Sequence, residues 1–231
     1  MNKKIIIGNF KMNLLPNEVV LYIENLKKDI KSNNEIVLCV PYVNIPYINN
    51  NLKNTNIHIG AQNVYFEDNG AYTGEISSKM LKSIGVEYIL IGHPERRHIF
   101  KENDLIINKK LIKCLNNNLK IILCVENIVQ LKKDLKNVNS DQLKNIIFIY
   151  ETRKSIGKKE IINSKKINNN INKYKKYLLK KYETLSKKDI KIGYGGSINS
   201  NNIIELKNID ILLIGSACLV INEFINIINN V

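Results

Sequence analysis

The sequence predicts an α/β protein in which eight parallel strands close into a (β/α)8 barrel with outer helices. Eight short apolar runs rich in Ile and Val recur along the 231 residues, with starts spaced by roughly 20 to 45 residues. Most runs are continuously apolar, as expected for strands that are buried on both faces of a parallel sheet. Segments with helical spacing separate them. No Gly/Ser linker or composition break marks a second domain, so we expect one domain over residues 1–231.

The predicted strands are, in chain order, residues 5–10, 36–40, 57–63, 88–93, 120–125, 146–151, 190–196 and 211–216. The predicted helices are residues 16–31, 76–86, 103–117, 128–136, 161–183, 200–207 and 221–229. In the first helix Pro16 stands near the start, and one apolar face is formed by Val19, Ile23, Leu26 and Ile30. A doubly wound open sheet is the alternative, but no GxGxxG motif follows the first strand to favour it.

The formal net charge of +14 does not by itself indicate a nucleic-acid partner. The chain contains 32 Lys, 37 Asn and 41 Ile but only three Arg. All three abundant residues have AT-rich codons, so nucleotide bias explains the Lys excess, and the Lys residues are scattered through nearly every segment. Proteins that read nucleic acids usually add Arg forks and aromatic platforms to their basic surface. We therefore expect no specific nucleic-acid partner.

The sequence also favours a cytoplasmic protein without a membrane segment. No stretch approaches the roughly 18 consecutive apolar residues of a membrane helix, and the start MNKKIIIGNFKMN turns polar too soon for a signal peptide. The cysteines are far apart and form no CxxC pair, which indicates reduced thiols and neither a disulfide framework nor a zinc site. They are Cys39, Cys114, Cys124 and Cys218.

Conspicuous polar residues and glycines stand at or just after the ends of the predicted strands. In chain order they are Asn9 and Lys11, Gln62 and Asn63, His93 and Glu95, Glu126, Glu151, Gly195-Gly196-Ser197, and Gly215-Ser216. Taken singly, each has an ordinary structural interpretation, such as a core histidine or a solvated loop acid. In (β/α)8 barrels, however, function gathers at the carboxyl ends of the strands, and glycines after the seventh and eighth strands match the usual phosphate site. We therefore expect a Lys, a His and a Glu to converge at one mouth.

Six strings carry a resemblance to a known family: GNFKMN (8–13), GAQN (60–63), GAYTGEIS (70–77), IGHPERR (91–97), YE (150–151) and YGGSI (194–198). In order and spacing, and over nearly the whole chain, they resemble triosephosphate isomerase. The resemblance implies a TIM barrel that interconverts dihydroxyacetone phosphate and D-glyceraldehyde 3-phosphate in glycolysis and gluconeogenesis. It also implies an enzyme that requires no metal and no organic cofactor.

The same resemblance implies roles for five residues. Glu151 resembles the base that moves a proton between two carbons of the substrate. His93 resembles a neutral imidazole electrophile at a helix N-terminus, where the helix dipole disfavours the imidazolium. This family is itself a well-known example of such pKa tuning, so these roles follow from the resemblance alone. Lys11 resembles the cation that stabilises the enediolate, with Asn9 as its hydrogen-bonding neighbour, and Glu95 resembles its pairing partner.

Further residues resemble the positions that bind phosphate and the partner subunit. Gly157, Ser197 and Gly215 resemble phosphate-binding positions, and Ser216 replaces the second glycine of the last phosphate loop. Thr73 lies in the loop that reaches the partner subunit's active site in this family. The resemblance therefore implies a homodimer.

The main departure from the family follows Glu151. The family usually continues Pro-Val-Trp and keeps Ile-Gly-Thr-Gly at the lid tip, whereas residues 152–160 read TRKSIGKKE. Because proline stiffens such a loop and tryptophan anchors it, we predict a less well-gated lid and more elimination side product. Two smaller departures are Pro94, which stands where the family usually has serine, and Val125, which stands where a glycine is expected before Glu126.

Two other functions stay open at this stage. One is another phosphate-binding barrel, such as a sugar-phosphate epimerase. Epimerases need several metal-binding residues, and the chain has only three histidines, His58, His93 and His98. The other is a catalytically weakened barrel with a binding role, which the altered lid favours and the intact Asn9, Lys11, His93, Glu95 and Glu151 argue against.

Overall fold

The computed structural model describes residues 3–152 and 163–231, which contain a closed barrel of eight parallel strands in sequential order. The strands are β1 (Ile5–Asn9), β2 (Glu35–Val40), β3 (Ile57–Ala61), β4 (Tyr88–Ile91), β5 (Lys120–Val125), β6 (Ile146–Tyr150), β7 (Lys191–Gly196) and β8 (Ile211–Ile214). The barrel closes between β1 and β8, where Ile5 stands opposite Ile211. The predicted fold and the eight predicted strands are confirmed, and the open-sheet alternative is excluded.

Helices surround the barrel. In the described ranges they are α1 (Pro16–Asp29), α2 (Ile45–Ile48), α3 (Ser78–Ser83), α4 (Pro94–His98), α5 (Asp104–Asn116), α6 (Ile128–Asp134), α7 (Ser140–Leu143), α8 (Ser164–Lys181) and α9 (Ile221–Asn230). Short 3-10 turns cover Tyr42–Asn44, Asn49–Leu52, Ile203–Leu206 and Ser216–Leu219. None of the helices in these ranges is long and apolar enough to cross a membrane.

The helix predicted over residues 200–207 is wrong, because only the 3-10 turn Ile203–Leu206 forms there. The backbone N–H groups of Asn201 and Asn202 both donate to the side chain of Asn199, a local bonding pattern that competes with the helix. Helices α2, α4 and α7 were not among the predicted helices, since four or five residues are too few to show a helical apolar pattern. Residues 161 and 162 of the predicted fifth helix lie outside the described residues.

The strands are buried on both faces, which explains their continuous apolar sequences. In β1, Ile7 packs in the smaller buried cluster together with Val37 and Leu213, whereas its neighbour Ile6 packs in the larger cluster with residues of the outer helices. Successive side chains of a strand point to opposite faces. The two clusters therefore correspond to the barrel interior and to the layer between barrel and helices. All four cysteines are buried and free.

Candidate active site

The carboxyl ends of the strands surround a cavity of about 530 Å³. Its lining includes most of the residues singled out from the sequence: Asn9, Lys11, His93, Glu151, Ser197, Gly215 and Ser216. Gly157 and the rest of the altered segment from residue 153 to residue 160 lie outside the described residues. Thr73 is exposed in the loop between β3 and α3. It lines neither this cavity nor a smaller second cavity beside Lys11 and Glu95, which is described below.

Lys11 stands two residues beyond the end of β1, in a left-handed backbone conformation with φ of 54°. Such a φ is uncommon for a residue with a side chain. The Lys11 backbone N–H donates to Asn9 Oδ1 at 3.1 Å, and Lys11 Nζ lies 2.7 Å from Glu95 Oε1. The lysine is therefore fixed at both its backbone and its ammonium group. Gly215 lies beside this side chain, and a Cβ at that position would stand at an ordinary van der Waals distance of 3.7 Å from Lys11 Cε.

His93 is the N-cap residue of α4, where Pro94 takes the first helical position. Its Nδ1 accepts a hydrogen bond from the backbone N–H of Glu95 at 3.3 Å. The pKa of His93 is lowered to about 4, mainly by burial; Glu95 opposes this shift and the nearby Lys11 charge adds to it. The imidazole is therefore neutral near pH 7. Because Nδ1 accepts, the hydrogen-bond network assigns the ring proton to Nε2.

Burial is a second reason, besides the helix N-terminus expected from the sequence, for the His93 imidazole to be neutral. The sequence pointed to the helix N-terminus, and the structure places His93 there with only 4% of its surface exposed. Desolvation is the largest cause of its lowered pKa.

Glu151 follows β6 and is 4% exposed, and its backbone N–H donates to Val125 O at 3.1 Å. Burial raises the pKa of Glu151 to about 8, whereas Lys11 and the Cys124 thiol act in the opposite direction. Its Oε2 lies 3.6 Å from His93 Nε2 and has no hydrogen-bond partner among the described residues. A buried carboxylate oxygen without a partner is available to accept a proton.

Gly195 in β7 makes this placement of Glu151 possible. A Cβ on Gly195 would stand 3.0 Å from Glu151 Cδ and 2.9 Å from a side-chain carbon of Ile149. Contacts this short are too close for an unstrained side chain, so any residue larger than glycine would displace the carboxyl group.

Arg97 of α4 holds the strand ends behind His93 together. Its buried guanidinium donates to Gly92 O at 2.8 Å and to Cys124 O at 3.1 Å, and thereby joins the end of β4 to β5. It also lies 2.6 Å from Asp134 Oδ2 and 3.0 Å from Asp104 Oδ1. The sequence analysis missed this role. Asp134 stands 37 residues away on a different helix, and no local pattern connects it to Arg97.

The side of the cavity opposite β4 is built by the segments after β7 and β8. Ser197 follows directly on β7, and its carbonyl accepts a hydrogen bond from Asn202 Nδ2 at 2.8 Å. Gly215 and Ser216 stand at the start of the 3-10 turn that follows β8. With Lys11 on the same cavity, this side offers a positive charge and small residues to an anionic group.

A second cavity, of about 280 Å³, adjoins Lys11 and Glu95 on the side of β2 and β3. Its wall includes Met12, Tyr42 and Phe100. Met12 is 94% exposed and Phe100 is 63% exposed, so this cavity opens onto an apolar surface.

Together these groups suit proton abstraction next to a carbonyl. That chemistry needs a carboxylate base, hydrogen-bond donors on the developing oxyanion and a site with little water. Glu151 supplies the base, and Nε2–H of His93 and Nζ of Lys11 supply the donors. Within residues 3–152 and 163–231, no group of three or more His, Cys, Asp or Glu is arranged to hold a metal ion.

Comparisons with known proteins agree with this chemistry. The sequence model of the triosephosphate isomerase family matches residues 4–231. The chain is 36% identical over 247 residues to triosephosphate isomerase of Alkaliphilus oremlandii, and the match covers 99% of this chain and 100% of the relative. It is 37% identical over 247 residues to triosephosphate isomerase of Thermoanaerobacter pseudethanolicus, with the same coverage. The enzyme of Clostridium botulinum is 36% identical over 249 residues, again with 99% and 100% coverage.

Proposed function

Because the chain belongs to the triosephosphate isomerase family and interconverts dihydroxyacetone phosphate and D-glyceraldehyde 3-phosphate, we propose that Glu151, His93 and Lys11 carry out this reaction. One observation supports the proposal most strongly. The buried Oε2 of Glu151 has no hydrogen-bond partner in the part of the chain that the structure describes, and it lies 3.6 Å from Nε2 of the neutral His93 imidazole, in the cavity that Lys11 also lines.

The reaction needs one proton to leave C1 of dihydroxyacetone phosphate and one to arrive at C2. The Glu151 carboxylate removes the C1 proton, and the electron pair of the broken bond forms an enediolate. Nε2–H of His93 donates a hydrogen bond to the enediolate oxygens, and the Lys11 ammonium stabilises their negative charge. Protonated Glu151 then returns a proton to C2, while a proton moves from the C1 oxygen to the C2 oxygen through His93, which gives D-glyceraldehyde 3-phosphate.

The remaining site residues prepare these groups or hold the phosphate. Glu95 pairs with Lys11 at 2.7 Å, and the Asn9 side chain accepts from the Lys11 backbone. On the opposite side of the cavity we assign the substrate phosphate to Ser197, Gly215 and Ser216, all of which line it. Gly157 keeps its proposed phosphate contact as an expectation from the sequence.

We also propose that the enzyme works as a homodimer. Exposed apolar side chains occur on each of the segments that follow β1, β2, β3 and β4, and they include Met12, Leu15, Val43, Tyr47, Tyr72, Ile99, Phe100 and Leu105. An apolar surface shared by four neighbouring segments is typical of a protein interface. The cavity beside Lys11 and Glu95 would accept the Thr73 loop of a second copy, and that contact would hold Lys11 in place.

The chain is further proposed to form one domain and to act in the cytoplasm, on the triose phosphates of glycolysis and gluconeogenesis. The barrel includes strands from Ile5 to Ile214, and the helix that ends at Asn230 packs against it, which supports a single domain. The four buried free thiols suit a reducing compartment, which supports the cytoplasm.

Deuterium exchange tests the role of Glu151 in proton transfer. Wild-type protein in D2O should incorporate deuterium at the reacting carbons of the triose phosphates, as followed by NMR. Glu151→Gln keeps the shape of the side chain but removes the base, so exchange should slow by about a thousandfold. The control Glu205→Gln changes an exposed carboxylate outside the cavity and should exchange like wild type. If Glu151→Gln exchanges at the wild-type rate, Glu151 is not the base.

A further inference from the structure

A glutamate on α9 joins the two segments that form the phosphate side of the cavity. Glu223 Oε1 accepts a hydrogen bond from the Ser200 backbone N–H at 2.6 Å, and its Oε2 accepts from Ser200 Oγ at 2.9 Å. Ser200 belongs to the segment after β7, which carries Ser197. Helix α9 follows the 3-10 turn Ser216–Leu219 after β8. The contact between Glu223 and Ser200 therefore connects two neighbouring βα units at the site.

Ser200 is itself linked to Ser197 by a network of two asparagines. The Asn199 backbone N–H donates to Asn202 Oδ1 at 2.9 Å, and the Asn202 backbone N–H donates to Asn199 Oδ1 at 3.1 Å. Asn202 Nδ2 then donates to Ser197 O at 2.8 Å. Through the hydrogen bonds of this turn, a displacement of Glu223 would also displace Ser197, the residue on the phosphate side of the cavity.

Glu223 does not act on the substrate directly. Neither Glu223 nor Ser200 lines the cavity, although Ser197, Gly215 and Ser216 do. A carboxylate next to an anionic ligand would repel it, and here both carboxylate oxygens are engaged by Ser200. Its contacts suit a structural connection between the two segments and do not suit a ligand contact.

We propose that Glu223 is a positioning residue that sets the spacing between Ser197 on one side of the substrate phosphate and Gly215 and Ser216 on the other. This inference rests on the phosphate assignment made under the proposed function. Binding that depends on several donors is sensitive to displacements well below 1 Å. Release of the Glu223 contact lets the two segments move apart, and the enzyme then loses affinity for the phosphate group.

The chain offers a matched control for this contact. Asp189, which precedes β7 at the opposite end of the barrel, accepts hydrogen bonds from the Ser186 backbone N–H at 2.8 Å and from Ser186 Oγ at 2.7 Å. As in the contact between Ser200 and Glu223, a serine backbone N–H and hydroxyl donate to a carboxylate, but here far from the cavity. Asp189→Ala removes the same kind of contact as Glu223→Ala and leaves the phosphate side intact.

The test compares these two variants on a substrate with and without phosphate. Glu223→Ala should lower kcat/KM for dihydroxyacetone phosphate about tenfold, mostly through KM, because hydrogen bonds to a charged group are lost. The kcat/KM for isomerisation of D-glyceraldehyde should change less than twofold, because this substrate has no phosphate whose contacts could be lost. Glu223→Gln keeps one acceptor oxygen and should fall between wild type and Glu223→Ala. Asp189→Ala should match wild type on both substrates.

Binding of inorganic phosphate, followed by NMR titration, tests the contact without turnover. Its dissociation constant should rise about tenfold in Glu223→Ala and stay unchanged in Asp189→Ala. Equal phosphate affinity in the two variants, or an equal loss of activity on D-glyceraldehyde, would overturn the inference. An inactive wild-type protein would instead contradict the proposed function, and the phosphate titration would still decide the role of Glu223.

Discussion

His93 Nε2 and Glu151 Oε2, from the ends of β4 and β6, lie 3.6 Å apart, and burial changes the pKa of each group toward its neutral form. Desolvation penalises the charged form of any group, so it lowers the pKa of the imidazole and raises that of the carboxyl. The pair therefore consists of a hydrogen-bond donor that stays neutral and a base of raised proton affinity. That combination suits the abstraction of a weakly acidic carbon-bound proton.

The pH dependence of turnover should reflect the raised pKa of Glu151. The base must be ionised to act, and burial raises its pKa to about 8. We expect kcat/KM to increase with pH through neutrality and to level off above about pH 8, whereas an ordinary glutamate would be fully ionised near pH 6. The second ionisation of the substrate phosphate, near pH 6, causes a separate decrease of kcat/KM at lower pH. A profile that is flat from pH 7 to about 9 would show that the carboxyl is not desolvated in solution.

His93 should make the protein sensitive to acid. Its folded-state pKa of about 4 lies below its unfolded value of 6.5, so the unfolded chain binds the proton first as the pH falls. The contribution of His93 to the free energy of unfolding is therefore fully present above pH 6.5 and is lost as the pH falls from 6.5 to 4. His93→Asn should remove this loss, which amounts to about 3 kcal/mol. Urea unfolding of both proteins at pH 7 and pH 4 measures the difference, and equal losses would contradict the account.

The buried ion pair between Arg97 and Asp134 should matter for stability. Asp134 is fully buried, and of the charged partners among residues 3–152 and 163–231 its removal leaves the buried guanidinium with only Asp104. We expect Asp134→Ala to lower the free energy of unfolding by about 3 kcal/mol. The control Asp141→Ala breaks an exposed pair with Lys144 and should cost less than about 1 kcal/mol. Chemical denaturation compares the two variants, and similar costs would mean that Arg97 is adequately held by its carbonyl partners.

Dimerisation should depend on the apolar surface around Met12. This side chain is 94% exposed and makes few contacts within its own chain, so Met12→Asp should fold normally. A charge there should weaken the dimer by at least about tenfold in dissociation constant, because a charge buried in an interface loses its hydration. Val129→Asp, at an equally apolar and 56% exposed position on α6, is the control. Sedimentation should show monomers for Met12→Asp but not for wild type or Val129→Asp. A dimer of unchanged affinity in Met12→Asp would mean that the interface lies elsewhere.

The sequence predicted the strands better than the helices. Apolar runs, most of them continuous, identify the strands of the barrel, since most strand residues are buried on both faces. The short helix that begins at Pro94 and the 3-10 turn at Ile203–Leu206 depend on local capping and have no periodic pattern to reveal them.

The convergence of the candidate residues on one cavity could be predicted for a similar reason. Lys11, His93 and Glu151 stand at strand ends, and barrel topology alone brings strand ends together. The contacts of Arg97 with Asp134 and of Glu223 with Ser200 join distant segments through side chains, so no spacing along the chain could predict them. The segment from residue 153 to residue 160 lies outside the described residues, and its weaker gating stays a prediction.

The central claim is that this barrel isomerises triose phosphates with Glu151 as the base. The most direct test is a coupled assay that supplies dihydroxyacetone phosphate and follows D-glyceraldehyde 3-phosphate, with purified wild type and Glu151→Gln compared at pH 8. We predict robust turnover by wild type and a loss of about a thousandfold in the variant. Equal rates in the two folded proteins, or no turnover by the wild type, would contradict the account.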